Sequence, residues 1–293
     1  MSDRAERLRS LRTALYERVP PPGVMVAEDV TPERVRALLA DSPELYAEIV
    51  AAWDAGWNLY DWIGAQLKST TPLPADDLIV RAATLLQNAT STSLGADISI
   101  DKRLPAQAGM GGGSSDAAST LLALNRLWNL QLPLSRLEQM GLQLGADVPF
   151  FLRGHNAWVE GIGEQITPAA LPPARFCVLK PAAGVDTASI FRHPQLERAT
   201  KPATIADFAA DPYGFGHNDL QPVAQALCPE VSQALALLES QGLQARMTGS
   251  GSAVFAHLAT PGHAAIQAPD HWVVRECGNL EVHPLQGWAA SDN

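Results

Sequence analysis

Between Leu104 and Ala118 the chain reads Leu-Pro-Ala-Gln-Ala-Gly-Met-Gly-Gly-Gly-Ser-Ser-Asp-Ala-Ala, and few folds can accommodate that run. Gly109, Gly111, Gly112 and Gly113 free the backbone to take positive φ and to turn successive N–H groups toward one concave surface. The flanks narrow the choice. Ala96 to Arg103 alternates apolar and polar residues, with Ile98 and Ile100 on one face, which predicts a half-buried strand. From Ser114 to Trp128, the residues Ala118, Leu121, Leu122, Leu124 and Trp128 recur at helical spacing. The glycines are therefore expected in a strand-to-helix turn. The positive end of the helix faces the loop, and Ser114 and Ser115 add hydroxyls, a geometry that predicts a phosphate site. A dinucleotide fingerprint would need glycine where Ser114 stands, and a Walker loop would need Gly-Lys-Ser/Thr; neither is present. A flexible linker is the plain alternative, but linkers of this composition are not normally bounded by a strand and a helix start.

A phosphate ligand would have to be held locally, because the chain carries a net charge of −10. That balance argues against a nucleic-acid partner. No apolar run is long enough to span a bilayer. Met1 to Val19 mixes arginines with Asp3, Glu6 and Glu17 where a signal peptide would have an apolar core. A cytoplasmic protein with no membrane partner is expected. Cys177, Cys228 and Cys277 are far apart with no C-x-x-C, which predicts reduced thiols and no zinc or disulfide frame. The histidines show no metal-ligand spacing.

Three regions are expected: a helical segment over 1–72, a region over 73–155 that contains the glycine loop, and an alternating α+β region over 156–293. In the first, Arg4 to Val19 predicts a helix ended by Pro20-Pro21-Pro22. Thr31-Pro32 and Ser42-Pro43 each predict a capped helix start. Leu45, Ile49, Trp53, Trp57 and Tyr60 then form an apolar stripe that must be buried on the chain or on a partner. Ser69 to Pro74 breaks the pattern. A helix follows over Asp76 to Gln87. Ser135-Arg-Leu-Glu138 predicts a capping box for a helix that stops at Gly145. Beyond Ala157 the pattern predicts strands at 157–160, 164–167, 176–180, 244–247, 253–257 and 272–276, with helices over 219–227 and 229–240 and from Pro261.

Two further points carry chemistry. Asp147 lies between Gly145 and Pro149, which is expected to hold the chain extended, and an apolar run follows, so its carboxylate is expected to be shielded. Beside a phosphate cradle such a group accepts a proton or holds Mg²⁺; a turn-stabilising Asp is the alternative. Thr248-Gly-Ser-Gly-Ser252 is a second glycine turn, either a tight hairpin or a backing for the first loop.

Ile98 to Pro105, Gly109 to Ala118, Leu144 to Pro149 and Met247 to Phe255, in that order, resemble the GHMP small-molecule kinases, and most closely the members acting on cytidine-diphosphate methylerythritol. The resemblance covers about Leu73 to Trp288. It implies an α+β, two-domain GHMP kinase fold, with a ribosomal protein S5 domain 2-like N-terminal domain and a ferredoxin-like C-terminal domain, here preceded by an atypical helical segment. It implies ATP with Mg²⁺, the phosphates lying on Pro105, Ala106, Gln107, Ala108, Gly109, Met110, Gly111, Gly112, Gly113, Ser114 and Ser115. Lys102, Asp77 and Leu78 then line the nucleotide, and Thr248, Gly249, Ser250 and Gly251 close the site. Asp147 becomes the base that takes the proton of the acceptor's 2-hydroxyl, and Thr187 lies near that acceptor. The family's opening Pro-Ala-Lys-Leu-Asn-like and Asp-Gly-Tyr-His motifs, whose lysine pairs with the catalytic Asp, are absent, and no lysine precedes Lys68. Two functions follow: a kinase of isoprenoid precursor synthesis, or a nucleotide-binding module that lacks the acceptor site and self-associates through the Trp53/Trp57 stripe.

Overall fold

The computed structural model describes residues 4, 6–8, 10, 11, 31–55, 59, 73–100, 102, 104–259 and 266–290. The chain divides into two units, Met1–Leu73 with Asp97–Asp101, and Pro74–Ala96 with Lys102–Asn293. The expected helix beyond residue 11, Pro20–Pro22, Trp57, Tyr60, most of the Ser69–Pro74 break and the helix start at Pro261 lie outside the described residues.

In the first unit, α1 (Pro32–Leu38) begins where Thr31 accepts a hydrogen bond from the Arg34 N–H at 3.3 Å. α2 (Pro43–Asp54) starts at Pro43, although Ser42 makes no side-chain cap. Leu45 and Ile49 are buried with Leu8, Leu11, Val35, Leu39, Ala52 and Leu59, and Trp53 packs against them. The described part of the apolar stripe is thus used as a small core.

The second unit opens with four helices: α3 (Leu78–Thr90), α4 (Gly112–Leu127), α5 (Leu134–Leu144) and α6 (Val148–Arg153). α4 is the central one. Leu121, Leu122 and Leu124 are buried against Leu86, Leu137, Met140 and Leu152, and burial of each such side chain stabilises by roughly 1.5–3 kcal/mol. Buried Asn125 fixes the α4–α5 connection by donating to Leu132 O and accepting from Leu132 N–H, at 3.1 and 3.0 Å. α6 seats closely on α5 because Gly141 lacks a Cβ, which would lie 2.8 Å from Leu152 Cδ1. Arg153 Nε bonds Glu138 Oε1 at 2.7 Å.

Two expectations change here. The segment 96–103 is not a strand in its described residues, and Ile98 is exposed; an alternating pattern forms a strand only where a neighbour accepts its backbone hydrogen bonds, and no described strand pairs with it. The Ser135/Glu138 capping box is not formed: α5 starts at Leu134 with Pro133 at its cap, and Glu138 pairs with Arg153.

A hairpin follows, β1 (Ala157–Glu160) with β2 (Gln165–Pro168). Then come β3 (Arg175–Lys180), α7 (Thr187–Arg192), α8 (Ile205–Ala210), α9 (Gln221–Leu227), α10 (Pro229–Ser240), β4 (Ala245–Met247), β5 (Val254–His257) and β6 (Val273–Gly278). The last four strands form one antiparallel sheet in the order β4-β5-β3-β6, the ferredoxin-like arrangement. α9 and α10 bury Val223, Val231, Leu235 and Leu238 in one core with Leu179, Met247 and Val254 from the sheet. Residues 279–290 return to the helical half, where His283 N–H donates to Gly154 O at 2.7 Å and Leu134 N–H to Ala290 O at 3.1 Å.

Candidate active site

The glycine run enters α4 as the sequence predicts. Gly109 and Gly111 both adopt φ +67°. Gly111 occupies the N-cap of α4 and no side chain caps the helix, so the first N–H groups and the positive end of its dipole remain available to an anion. Gly112, Gly113, Ser114 and Ser115 form the first turn and are all half-buried. Upstream, Ala108 is buried, Pro105 and Met110 are half-buried, and Ala106 and Gln107 are exposed.

The second glycine turn lies directly on the first. Thr248 Oγ1 donates to Gly109 O at 2.9 Å. Ser252 N–H donates to Gln107 O at 3.1 Å and Ala253 N–H to Ala108 O at 3.2 Å. A Cβ on Gly109 would lie 2.1 Å from Thr248 O and 2.6 Å from Gly251 N, and one on Gly249 would lie 2.8 Å from Gly109 O. The two loops approach too closely for any side chain. The hairpin alternative for Thr248–Ser252 and the backing role are therefore the same structure, a turn between β4 and β5 pressed on the phosphate-type loop. On its far side Ser250 Oγ lies 2.7 Å from Thr187 Oγ1, at the start of α7.

Asp147 stands at the start of α6. The expected extended chain at Pro149 is instead the first turn of α6, with Asp147 at its N-cap in αR conformation. The apolar residues after it point into the core, Val148, Pro149 and Leu152 being buried, while Asp147 is exposed. The expectation of a shielded carboxylate is corrected: the helix turns the apolar side chains inward and leaves the N-cap at the surface. The Asp147 side chain makes no cap hydrogen bond. The chain around it passes close to the glycine loop at two points. A Cβ on Gly145 would lie 3.9 Å from Ser114 Oγ, and one on Gly111 would lie 2.9 Å from the Phe151 ring of α6. The β1–β2 turn also closes on it, since a Cβ on Gly163 would lie 2.0 Å from Ala146 O.

Lys102 and Asp77 meet at the edge of α3 and α4. Lys102 Nζ lies 3.0 Å from Asp116 Oδ2 and 3.9 Å from Asp77 Oδ2. Asp77 caps α3 through Ile79 N–H at 2.9 Å, and Leu78 begins that helix. A Cβ on Gly113 would lie 3.3 Å from Leu78 Cδ1, so this pair borders the loop as well.

Sequence reasoning missed one feature, an open cleft of about 730 Å³ beside Gly249, lined by Phe191, Leu196, Arg198, His217 and Asn218. Asn218 donates to Met247 O and Gly249 O at 2.9 and 2.7 Å, supporting the second loop from behind. Phe191 is 54% exposed at the rim. The signal was an apolar Phe at a helical spacing of four from Thr187, in a stretch where no helix was expected. Among the described residues, no three acidic, histidine or cysteine side chains cluster as a metal site, and no helix is long and apolar enough to cross a membrane.

Comparisons with known proteins give the family. Residues 77–155 match the GHMP kinases N terminal domain, and residues 202–268 the GHMP kinases C terminal region. The chain is 63% identical over 220 residues to the 4-diphosphocytidyl-2-C-methyl-D-erythritol kinase of Polaromonas naphthalenivorans, covering 74% of each chain. It is 62% identical over 225 residues to that of Paracidovorax citrulli, covering 75% of this chain and 79% of the relative. A crystal structure of a 4-(cytidine 5'-diphospho)-2C-methyl-D-erythritol kinase superposes with a TM-score of 0.55 at 36% identity, over 67% of this chain and 74% of that one. A homoserine kinase from Cytophaga hutchinsonii, at 13% identity and TM-score 0.52 over 73% and 79% of the two chains, shares the fold alone. Two facing glycine loops, the match to both GHMP kinase domains and this degree of identity place the chain in the GHMP kinase family, among the 4-diphosphocytidyl-2-C-methyl-D-erythritol kinases.

Proposed function

We propose that this chain phosphorylates the 2-hydroxyl of 4-diphosphocytidyl-2-C-methyl-D-erythritol at the expense of ATP, a step of isoprenoid precursor synthesis. The observation that carries the reading is the pair of interlocked loops, Gln107–Gly109 and Thr248–Ala253, at the uncapped start of α4. The fit to a triphosphate rests on free N–H groups aimed from the uncapped start of α4, which favour a polyanion. When bound, Mg·ATP supplies the phosphoryl group and part of the charge neutralisation. Mg²⁺ in such sites is held chiefly by the phosphates with one or two carboxylates.

The chain's own residues then have distinct tasks. The N–H groups from Gly111 to Ser114 and the Ser114 and Ser115 hydroxyls bind and orient the phosphates. Lys102 adds a positive charge at the rim, and Asp77 and Leu78 border the nucleotide. Asp147 accepts the proton of the attacking hydroxyl. Thr187 and Ser250, bonded to one another, face the acceptor side, where Phe191 offers a flat apolar surface of the kind on which a nucleobase stacks. The protein works in the cytoplasm on a small molecule.

A second reading, a nucleotide-binding module without acceptor chemistry that associates through its first helices, is favoured by one observation. Among the described residues no cation pairs with Asp147. Release of ADP with and without 4-diphosphocytidyl-2-C-methyl-D-erythritol decides between them. Substrate-dependent turnover lost in Asp147→Asn supports the kinase. No turnover in a folded protein that binds Mg·ATP leaves the binding module.

A further inference from the structure

Lys180, the last residue of β3, is only 6% exposed. Taking an ammonium out of water is costly unless its donors are answered, so the groups it reaches are informative. Nζ donates to Pro181 O at 2.6 Å and to Ala183 O at 3.0 Å. The Ala183 carbonyl accepts a second hydrogen bond from Ser252 Oγ, while the Ala183 N–H donates to Glu230 Oε2 at 3.0 Å, from the first turn of α10. Ser252 in turn donates its N–H to Gln107 O at 3.1 Å. Next along the loop, a Cβ on Gly184 would lie 2.4 Å from Gln107 Oε1. One residue, Ala183, thus joins through its N–H and C=O the end of β3, the start of α10, the second glycine loop and, through Ser252, the residue that leads into the first. Burial lowers the Lys180 pKa from its ordinary value, and the side chains of Cys228 and Glu230 oppose that shift.

We infer that Lys180 is a positioning residue for nucleotide binding: with Glu230 it fixes the Ala183 peptide on which Ser252 is seated, and through Ser252 it sets the position of Gln107–Gly109 beneath the phosphates. The inference rests on the reading of the glycine loop as the ATP cradle. A neutral side chain of similar length would fill the same space but take the Lys180 donor from the Pro181 carbonyl and leave the Ala183 carbonyl to Ser252 Oγ alone, an unmet cost that the loop relieves by moving. The effect falls on ATP, not on proton abstraction, because Asp147 lies on α6 and shares no hydrogen bond with this network.

The test is Mg·ATP affinity by calorimetry, with steady-state kinetics, for wild type, Lys180→Met, Ser252→Ala and the double variant. The expected result is a loss of about tenfold in ATP affinity for each single variant, seen in KM for ATP with kcat at saturating ATP within about twofold. The double variant is expected to be no weaker than the weaker single one, since both act through one carbonyl. A merely structural lysine would lower the melting temperature and leave the affinity of the folded protein unchanged. Unchanged affinity in folded Lys180→Met, or additive losses in the double variant, overturns the inference alone. Wild type that binds no Mg·ATP overturns the reading of the cradle and the inference with it. Should Lys180→Met fail to fold, Glu230→Gln, which keeps the size of the side chain, takes its place in the same cycle: coupling to Ser252→Ala supports the inference, and additivity overturns it.

Discussion

The Thr248 hydroxyl donates to the carbonyl oxygen of Gly109 across 2.9 Å, joining two loops 139 residues apart in the chain. The bond explains the composition of both. Each loop has glycine where the other approaches, and each has hydroxyls at its margin. The cradle is thus held by the packed sheet of the second half, through β4 and β5, as much as by the helix that follows it.

Gly109→Ala tests that closeness. The added methyl would meet backbone atoms on the opposite loop at 2.1 and 2.6 Å, in a conformation at φ +67° that suits glycine. Overpacking and left-handed strain together are expected to cost about 2–4 kcal/mol, a fall of several degrees in melting temperature, and ATP binding should be lost at concentrations that saturate wild type. Gly95→Ala is the control, since a Cβ there meets nothing within 4 Å, and it should bind ATP normally. Equal ATP affinity in the two variants would show that the loops do not need their present spacing.

Asp147→Asn should separate chemistry from stability. The carboxylate is exposed and caps no helix, so the melting temperature is expected to change by less than the equivalent of about 0.5 kcal/mol. Loss of a general base lowers the rate by about 10²–10⁴-fold, and that loss should appear in kcat with Mg·ATP affinity retained. A variant with wild-type turnover would remove Asp147 from the mechanism.

These two sites show what could be read in the sequence. Gly109 was legible because a left-handed turn at the start of a helix is a local requirement, satisfied by glycine whatever surrounds it. The place of Asp147 was legible and its environment was not: Pro149 suits both an extended chain and a helix's first turn, and only the burial of Val148 and Leu152 decides for the helix. Ile98 and Ile100 carried a strand pattern, but a strand needs a partner that local sequence does not reveal. Lys180 was hidden for the same reason. At the end of an apolar run it reads as a surface lysine, and its burial depends on Pro181, Ala183 and Glu230 meeting around it in three dimensions.

Phe191→Ala addresses the acceptor side. The ring is 54% exposed beside the cleft next to Gly249, so its removal costs the fold little. If a cytosine stacks there, truncation forfeits about 1–3 kcal/mol, roughly 5- to 150-fold in affinity. The change should appear in KM for 4-diphosphocytidyl-2-C-methyl-D-erythritol and leave KM for ATP as it was. A parallel rise in both constants would mean that Phe191 supports the fold of α7 and does not meet the acceptor.

The return of the C-terminal segment predicts a pH effect. His283 is tied to Gly154 through its backbone N–H, its Nδ1 accepts from Leu285 N–H at 3.2 Å, and burial lowers its pKa from 6.5. The neutral ring is the form the folded chain prefers, whereas the unfolded chain protonates near the ordinary value. By linkage this contribution is complete above about pH 6.5 and is lost as pH falls through the lowered native value. Below that window both states are protonated and the slope ends. Thermal melts of wild type and His283→Gln between pH 7.5 and mild acid should diverge, the wild type losing more of its melting temperature over the interval. Hydrogen exchange should show the loosening first at the backbone N–H groups of His283 and Leu134, which join this segment to the helical half. Parallel melting curves would mean that the ring titrates alike in the folded and unfolded chains.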